Sequence, residues 1–153
     1  MVRIGWIGFV GFLSLVLVGC GNKSTMITVS GNVVNDTQIA DGRELYIRLC
    51  AECHGVNGEG QFPNSPTLPD ATGRIGAPPH NGNGHTWHHG DKLLIRYVLE
   101  GGMGDPAAFY PMPAFADQLT EEQVIHITAY LKTLWNDEQR LRQQQATELE
   151  DLR

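Results

Sequence analysis

A Cys-x-x-Cys-His motif, formed by Cys50, Cys53 and His54, restricts the fold and chemistry of this chain more than any other segment. Two thiols at this spacing can each add to a vinyl group of a haem, and the adjacent imidazole then serves as an axial ligand of the iron. A redox disulfide would need a surrounding βαβ pattern, which is not visible. A zinc site would need two further ligands, which later histidines could supply. Covalent haem attachment is therefore the favoured prediction.

The third cysteine, Cys20, ends an apolar N-terminal segment. One cation, Arg3, precedes an apolar run from Ile4 to Val18, which is short for a membrane span and typical of a signal-peptide core. The run ends in Leu17-Val18-Gly19-Cys20, which resembles the lipobox of bacterial lipoproteins. That resemblance implies cleavage before Cys20, lipidation of its thiol and an exported protein anchored on the outer side of a membrane. The alternative is an uncleaved anchor with an incidental cysteine.

Composition along the chain predicts four segments. Residues 1–19 are the lipoprotein signal peptide, and residues 20–35, which are polar and without a clear period, are expected to form a flexible tether. Residues 36–137 carry the haem motif and form one domain. Residues 138–153 are highly polar and are expected to form a solvated helical tail.

Two amphipathic helices are predicted on either side of the haem motif. In the first, Asp41 is the candidate N-cap, and Leu45 and Leu49 lie on one face. The second begins with a capping-box pattern from Thr120 to Gln123. Its apolar stripe consists of Val124, Ile127, Leu131 and Leu134.

The motif and these helices together resemble class I, monohaem bacterial cytochromes c over about residues 36–137. The resemblance implies an all-α fold of three to four helices wrapped around one covalently attached haem c, with long Gly/Pro-rich loops. In that family a small residue and an aromatic residue of the first helix pack against the last helix. The matching positions are Gly42 and Tyr46. Their partners would be Tyr130 and Leu131.

Met112 is the candidate for the second axial ligand of the haem iron. It lies in Tyr-Pro-Met-Pro-Ala-Phe, residues 110–115, which resembles the Met-Pro-x-Phe segment that supplies this ligand in many bacterial class I cytochromes. The flanking prolines restrict the backbone and so hold the thioether in one direction. Met103 lacks such support, and Met26 lies in the tether. His/Met ligation leaves the iron no free position, which favours electron transfer over catalysis.

Other haem contacts are expected from the loops. A haem-binding histidine needs an acceptor for its second ring nitrogen, and in class I cytochromes a downstream proline carbonyl provides it. Pro66 is the better match here, with Pro63 as the alternative. Arg74 is a candidate partner for a haem propionate.

A histidine-rich loop departs from the class I pattern. Its histidines are His80, His85, His88 and His89. They could bind copper or zinc with Asp91, or one of them could replace Met112 on the iron. The favoured interpretation is structural, with Trp87 and a histidine bonding haem propionates or backbone groups. Asp91 is also the candidate N-cap of a helix from Lys92 to Glu100, which Gly101 would end.

The expected function is therefore that of a membrane-tethered cytochrome carrying single electrons between redox proteins, such as membrane oxidase or reductase complexes. A formal charge of -6 argues against nucleic-acid binding and favours a partner with a basic docking patch. The alternatives are a haem or haem–copper enzyme, or a copper-binding protein, that uses the loop from His80 to His89. A fixed electron-transfer subunit of a larger complex is a third hypothesis.

Overall fold

The computed structural model describes residues 25–152, so the predicted signal peptide, Cys20 and the start of the tether lie outside the described residues. The elements in chain order are β1 (Ile27–Val29), β2 (Asn32–Val34), α1 (Asp36–Leu49), α2 (Ala51–His54), a 3₁₀ helix (Thr86–His88), α3 (Asp91–Glu100), α4 (Glu121–Thr133) and α5 (Asp137–Asp151). The predicted all-α fold with long loops is confirmed, with a small hairpin added. None of the helices between residues 25 and 152 combines the length and the apolar character that crossing a membrane requires.

The hairpin corrects the prediction of a flexible tether over residues 20–35 for residues 27–34, whereas residues 20–24 lie outside the described residues. Strands β1 and β2 pair antiparallel, with Ile27 opposite Val34. Val29 and Val34 are both buried in the hydrophobic core, where the hairpin packs against α4. Strands of three residues are too short for an alternating pattern to stand out, which is why the sequence indicated no period here.

Helix α1 begins earlier than the sequence analysis predicted. Its N-cap is Asn35, whose side chain accepts a hydrogen bond from the Gln38 backbone N–H at 3.1 Å. The Gln38 side chain accepts one in return from the Asn35 N–H at 3.0 Å, which completes a capping box. Asp41 therefore lies inside the helix and is not its cap. The helix ends at Leu49, and Cys50 is its C-cap.

Helices α1 and α4 cross in direct backbone contact at Gly42. A Cβ atom on Gly42 would lie 2.0 Å from the His126 carbonyl oxygen, a distance that no side chain can adopt. One turn later the Tyr46 and Tyr130 rings pack with centroids 5.3 Å apart. The expected packing of Gly42 and Tyr46 against Tyr130 and Leu131 is confirmed for Tyr46 with Tyr130, and the atoms nearest to Gly42 belong to the backbone of His126 and Ile127.

Helix α4 follows its sequence pattern. The Thr120 hydroxyl accepts a hydrogen bond from the Gln123 N–H at 3.3 Å, and the Gln123 side chain accepts one from the Thr120 N–H at 2.9 Å. This is the predicted capping box. The predicted apolar stripe is buried at Val124, Ile127 and Leu131, with Leu134 half-buried beside them.

A buried ion pair ties α3 to α4. Lys132 Nζ lies 2.7 Å from an Asp91 carboxylate oxygen, with the two side chains 8% and 3% exposed. Asp91 also accepts a hydrogen bond from the Ser30 N–H, and Lys132 Nζ donates to the Thr28 carbonyl, so the pair holds the hairpin as well. Burial lowers the pKa of Lys132, and Asp91 opposes that shift. Asp91 is the first residue of α3, and the N-cap is Gly90, so the prediction of Asp91 as the N-cap is wrong.

Helix α5 is the predicted polar helical tail, and it packs on the start of α3 instead of being solvated on all sides. Gly90 has no side chain to cap α3, and the Glu150 carboxylate accepts hydrogen bonds from the Lys92 and Leu93 N–H groups, both at 2.9 Å. An acidic group is favourable at this position because the helix N-terminus is partially positive. Gln143 of α5 is buried and donates to Asp91 Oδ1 at 2.7 Å.

We expect Gly42→Ala to destabilise the protein by at least about 2 kcal/mol, because the added methyl group overpacks the crossing of α1 and α4. The midpoint of urea unfolding measures the change. Arg43→Ala is the matched control, since it introduces alanine at the next, exposed position of α1. Equal midpoints for the two variants would contradict the close contact.

We expect Lys132→Met to cost about 3 kcal/mol, because it leaves the buried Asp91 carboxylate without its counter-charge. Thermal unfolding monitored by circular dichroism measures this loss. Lys92→Met provides the control, because Lys92 pairs with Asp151 on the exposed surface, where an ion pair contributes little. Equal melting temperatures for Lys132→Met and Lys92→Met would contradict a stabilising role of the buried ion pair.

Candidate functional site

The haem motif lies where α1 passes into α2. The backbone N–H groups of Cys53 and His54 both donate to the Cys50 carbonyl, at 3.1 and 2.9 Å, so the three motif residues share one helical turn. Cys50 is half-buried against the core, and Cys53 is exposed. Burial raises the pKa of the Cys50 thiol to about 11, with a further contribution from Cys53. Neither thiol is part of a disulfide bond within the described residues.

The His54 imidazole is held in one orientation. Its ring is 6% exposed, and Nδ1 donates a hydrogen bond to the Pro78 carbonyl at 2.9 Å. Burial lowers the pKa of His54, although the bond to Pro78 opposes the shift, so the ring is neutral at pH 7. A neutral imidazole with Nδ1 engaged leaves Nε2 as the nitrogen available to a metal.

The carbonyl that orients His54 belongs to Pro78, so the predictions of Pro66 and of Pro63 are wrong. The reason is the pairing of two loops. The Gln61 N–H donates to the Ala77 carbonyl at 3.0 Å, and the His80 N–H donates to the Gly58 carbonyl at 2.7 Å. These bonds bring residues 77–80 against the segment that follows the motif.

His80 lies face to face with His54. The two ring centroids are 4.0 Å apart with an interplanar angle of 26°. Burial, with smaller effects of His54 and His85, lowers the pKa of His80 well below its ordinary value. Axial ligands on opposite faces of a haem point their nitrogens towards each other through the iron. The stacked geometry therefore contradicts the alternative in which His80 replaces Met112.

The other loop histidines do not assemble a second metal site with His80. His85 lies edge-on to His89 with centroids 5.4 Å apart, and His88 lies edge-on to Trp87. Throughout residues 25–152, no three His, Cys, Asp or Glu side chains come together in a metal-binding group. Within residues 25–152, no group of three such side chains supports the copper or zinc hypothesis for this loop.

Trp87 provides the unpaired hydrogen-bond donor that a contact with a haem propionate needs. Its indole Nε1–H is buried and has no hydrogen-bond partner among the described protein groups. A buried donor of this kind is costly unless a bound group accepts from it.

Backbone hydrogen bonds on both sides hold the segment that carries Met112. The Tyr110 N–H donates to the Ile75 carbonyl, and the Gly102 N–H donates to the Met112 carbonyl, both at 3.0 Å. Met112 is half-buried and packs against the core. The other candidate, Met103, is 44% exposed, and its sulfur accepts a hydrogen bond from Arg96.

A polar cluster fixes the same segment from the other side. The Tyr110 hydroxyl donates to Asp70 Oδ2 at 2.8 Å. Hydrogen bonds from Thr72 and then from Tyr110 lower the pKa of the Asp70 carboxyl to about 2. Arg74 lies over the Tyr110 ring at 5.8 Å from its centroid, and its predicted contact with a haem propionate stays a prediction.

In a comparison with known protein families, the model of the family described as Cytochrome c matches residues 39–135, the part of the chain that contains the motif and Met112. The chain belongs to the cytochrome c family. Cytochrome cL from the marine methylotrophic bacterium Methylophaga aminisulfidivorans has a similar fold, with a TM-score of 0.50 and 18% identity over 74% of this chain and 83% of that one.

A second relative is the cbb3-type cytochrome c oxidase subunit FixP of Azorhizobium caulinodans. It is 31% identical to this cytochrome over 109 residues, which make up 70% of this chain and 31% of FixP. The chain therefore spans less than a third of the length of this relative.

The residues present fit the haem c that membership of the family implies. Cys50 and Cys53 offer two free thiols, His54 offers Nε2, and Trp87 offers an unpartnered buried donor. Sequence reasoning missed Pro78 and the inward position of His80. The double proline directly before His80 is a signal that could have indicated a rigid carbonyl at this point.

Proposed function

We propose that this cytochrome c carries single electrons between redox partners through a haem iron bound by His54 and Met112. The proposal depends chiefly on the hydrogen bond from His54 Nδ1 to the Pro78 carbonyl, which leaves Nε2 available to a metal. The engagement of the Met103 sulfur by Arg96 favours Met112 as the second ligand.

Each residue has a defined task. Cys50 and Cys53 would hold the haem through thioether bonds, and His54 and Met112 would occupy both axial positions. When bound, the haem supplies a reversible Fe(III)/Fe(II) couple, and a thioether ligand raises its potential. The backbone bonds around Met112 and the bond from His54 to Pro78 would hold both side chains in place for the haem iron.

Two observations support a membrane oxidase as the partner. FixP is by its name a subunit of a cbb3-type cytochrome c oxidase, and the shared region includes 70% of this chain. The formal charge of -6 favours a partner with a basic docking surface. The lipobox-like sequence before Cys20 supports export and attachment to the outer side of a membrane through lipid on that residue.

We expect Met112→Ala to abolish the Met–iron charge-transfer band in the absorption spectrum of the oxidised protein and to lower its reduction potential, because the thioether is lost. Met103→Ala is the matched control and should retain the band, since its sulfur bonds Arg96. A band that persists in Met112→Ala would overturn this ligand assignment.

We expect Cys20→Ser to release the cytochrome from the membrane fraction into the soluble exported fraction, because no acyl chain can then be attached. Cell fractionation followed by haem staining measures this redistribution. Haem content per protein is the internal control and should stay the same, since Cys50 and Cys53 are untouched. Unchanged membrane attachment of a Cys20→Ser variant whose residues 1–19 have been removed would refute lipid anchoring at Cys20.

A further inference from the structure

We propose that His80 is a positioning residue that sets the plane of the His54 imidazole. This inference rests on the proposed role of His54 as a ligand of the haem iron. The two rings stack at 4.0 Å with 26° between their planes. His80 thus forms a flat wall along one face of the ligand.

The hydrogen bond to Pro78 does not by itself fix the His54 ring. It holds Nδ1 at 2.9 Å from a carbonyl oxygen, and a ring can tilt about such a bond because acceptor directions at a carbonyl are broad. A second ring in face-to-face contact blocks that tilt. The stacking contact therefore supplies the constraint that the single hydrogen bond lacks.

His80 can act as a wall because its own position is fixed by its backbone. The His80 N–H donates to the Gly58 carbonyl at 2.7 Å. The His80 carbonyl accepts from Trp135 Nε1, also at 2.7 Å. Trp135 is 3% exposed and belongs to the hydrophobic core, so this bond connects His80 to the core.

The His80 ring is fixed by Thr86. His80 Nδ1 lies 2.8 Å from the Thr86 hydroxyl oxygen, and that hydroxyl donates its own proton to the Pro79 carbonyl at 3.3 Å. With its single proton directed to Pro79, the hydroxyl oxygen accepts from His80 in the tautomer that carries the proton on Nδ1. Thr86 is itself buried at 5% exposure, so Pro79, Thr86 and His80 form a closed chain of hydrogen bonds.

The orientation of an axial imidazole has a spectroscopic signature. In an oxidised low-spin haem, the plane of the imidazole determines how the unpaired electron is shared among the pyrrole rings. The four haem methyl groups report this distribution through their paramagnetically shifted proton resonances. A rotation of His54 would thus change the order and spread of these four signals even where the haem stays bound.

The experiment compares proton NMR spectra of the oxidised holoprotein for three variants. His80→Leu keeps apolar bulk but removes the stacked ring, and Thr86→Val removes the hydroxyl that holds the ring while keeping its shape. His85→Leu makes the same exchange as His80→Leu at an exposed position of the same loop, where the ring contacts His89. Haem content of every protein is measured in parallel by the pyridine haemochrome spectrum.

We expect a changed order or spread of the haem-methyl signals in His80→Leu, a smaller change in the same direction in Thr86→Val, and the unmodified pattern in His85→Leu. If His80→Leu fails to mature, Thr86→Val decides the question. Attached haem with an unmodified pattern in Thr86→Val and in any matured His80→Leu would overturn the inference alone. If the protein with the natural sequence carried no covalent haem, the proposed function would be overturned, and this inference with it.

Discussion

The contact between α1 and α4 at Gly42 sets the position of the haem motif in this cytochrome. No side chain separates the two helices there, so their backbones fix each other's position directly. Tyr46 then packs on Tyr130 and donates its hydroxyl to the Gly55 carbonyl at 2.8 Å, immediately after His54. Helix α1 continues directly into Cys50, so its contact with α4 at Gly42 positions the start of the motif. Tyr46, which packs on α4, positions the end of the motif through its bond to Gly55.

The same helix also positions the segment that carries Met112, through a different interaction. Lys132 of α4 pairs with the buried Asp91 at the start of α3, and α3 ends at Gly101 with a φ of +90°. A Cβ atom on Gly101 would lie 2.9 Å from the Met112 carbonyl oxygen, so the chain leaving α3 touches the Met112 segment directly. Helix α4 therefore positions both proposed ligands. It acts on His54 through its close packing with α1, and on Met112 through the buried ion pair with α3.

Local signals in the sequence predicted what is local in the structure. The haem motif and the capping box at Thr120 depend on residues within one helical turn, whereas the packing of Tyr46 on Tyr130 joins two helices and was expected only from the family resemblance. The role of Pro78 depends on which two loops pair, and the spacing of prolines carries no such information. The partner of Asp91 lies 41 residues away, and a polar helix such as α5 resembles a solvated one until its hydrogen bonds to α3 are seen.

Met112 and the Pro78 carbonyl that orients His54 both lie in loops, and a composition of 18 Gly and 8 Pro is consistent with such loops. A loop can hold a side chain in one direction only if its own backbone is fixed, and here backbone N–H and carbonyl groups of neighbouring loops do this at Gly58 and at Ile75. Such a site needs little apolar side-chain mass, because a haem would contribute its own. The histidine-rich loop is fixed in the same way. His80 and Thr86 form a hydrogen bond with each other, Thr86 forms another with the Pro79 carbonyl, and the His80 ring stacks on His54.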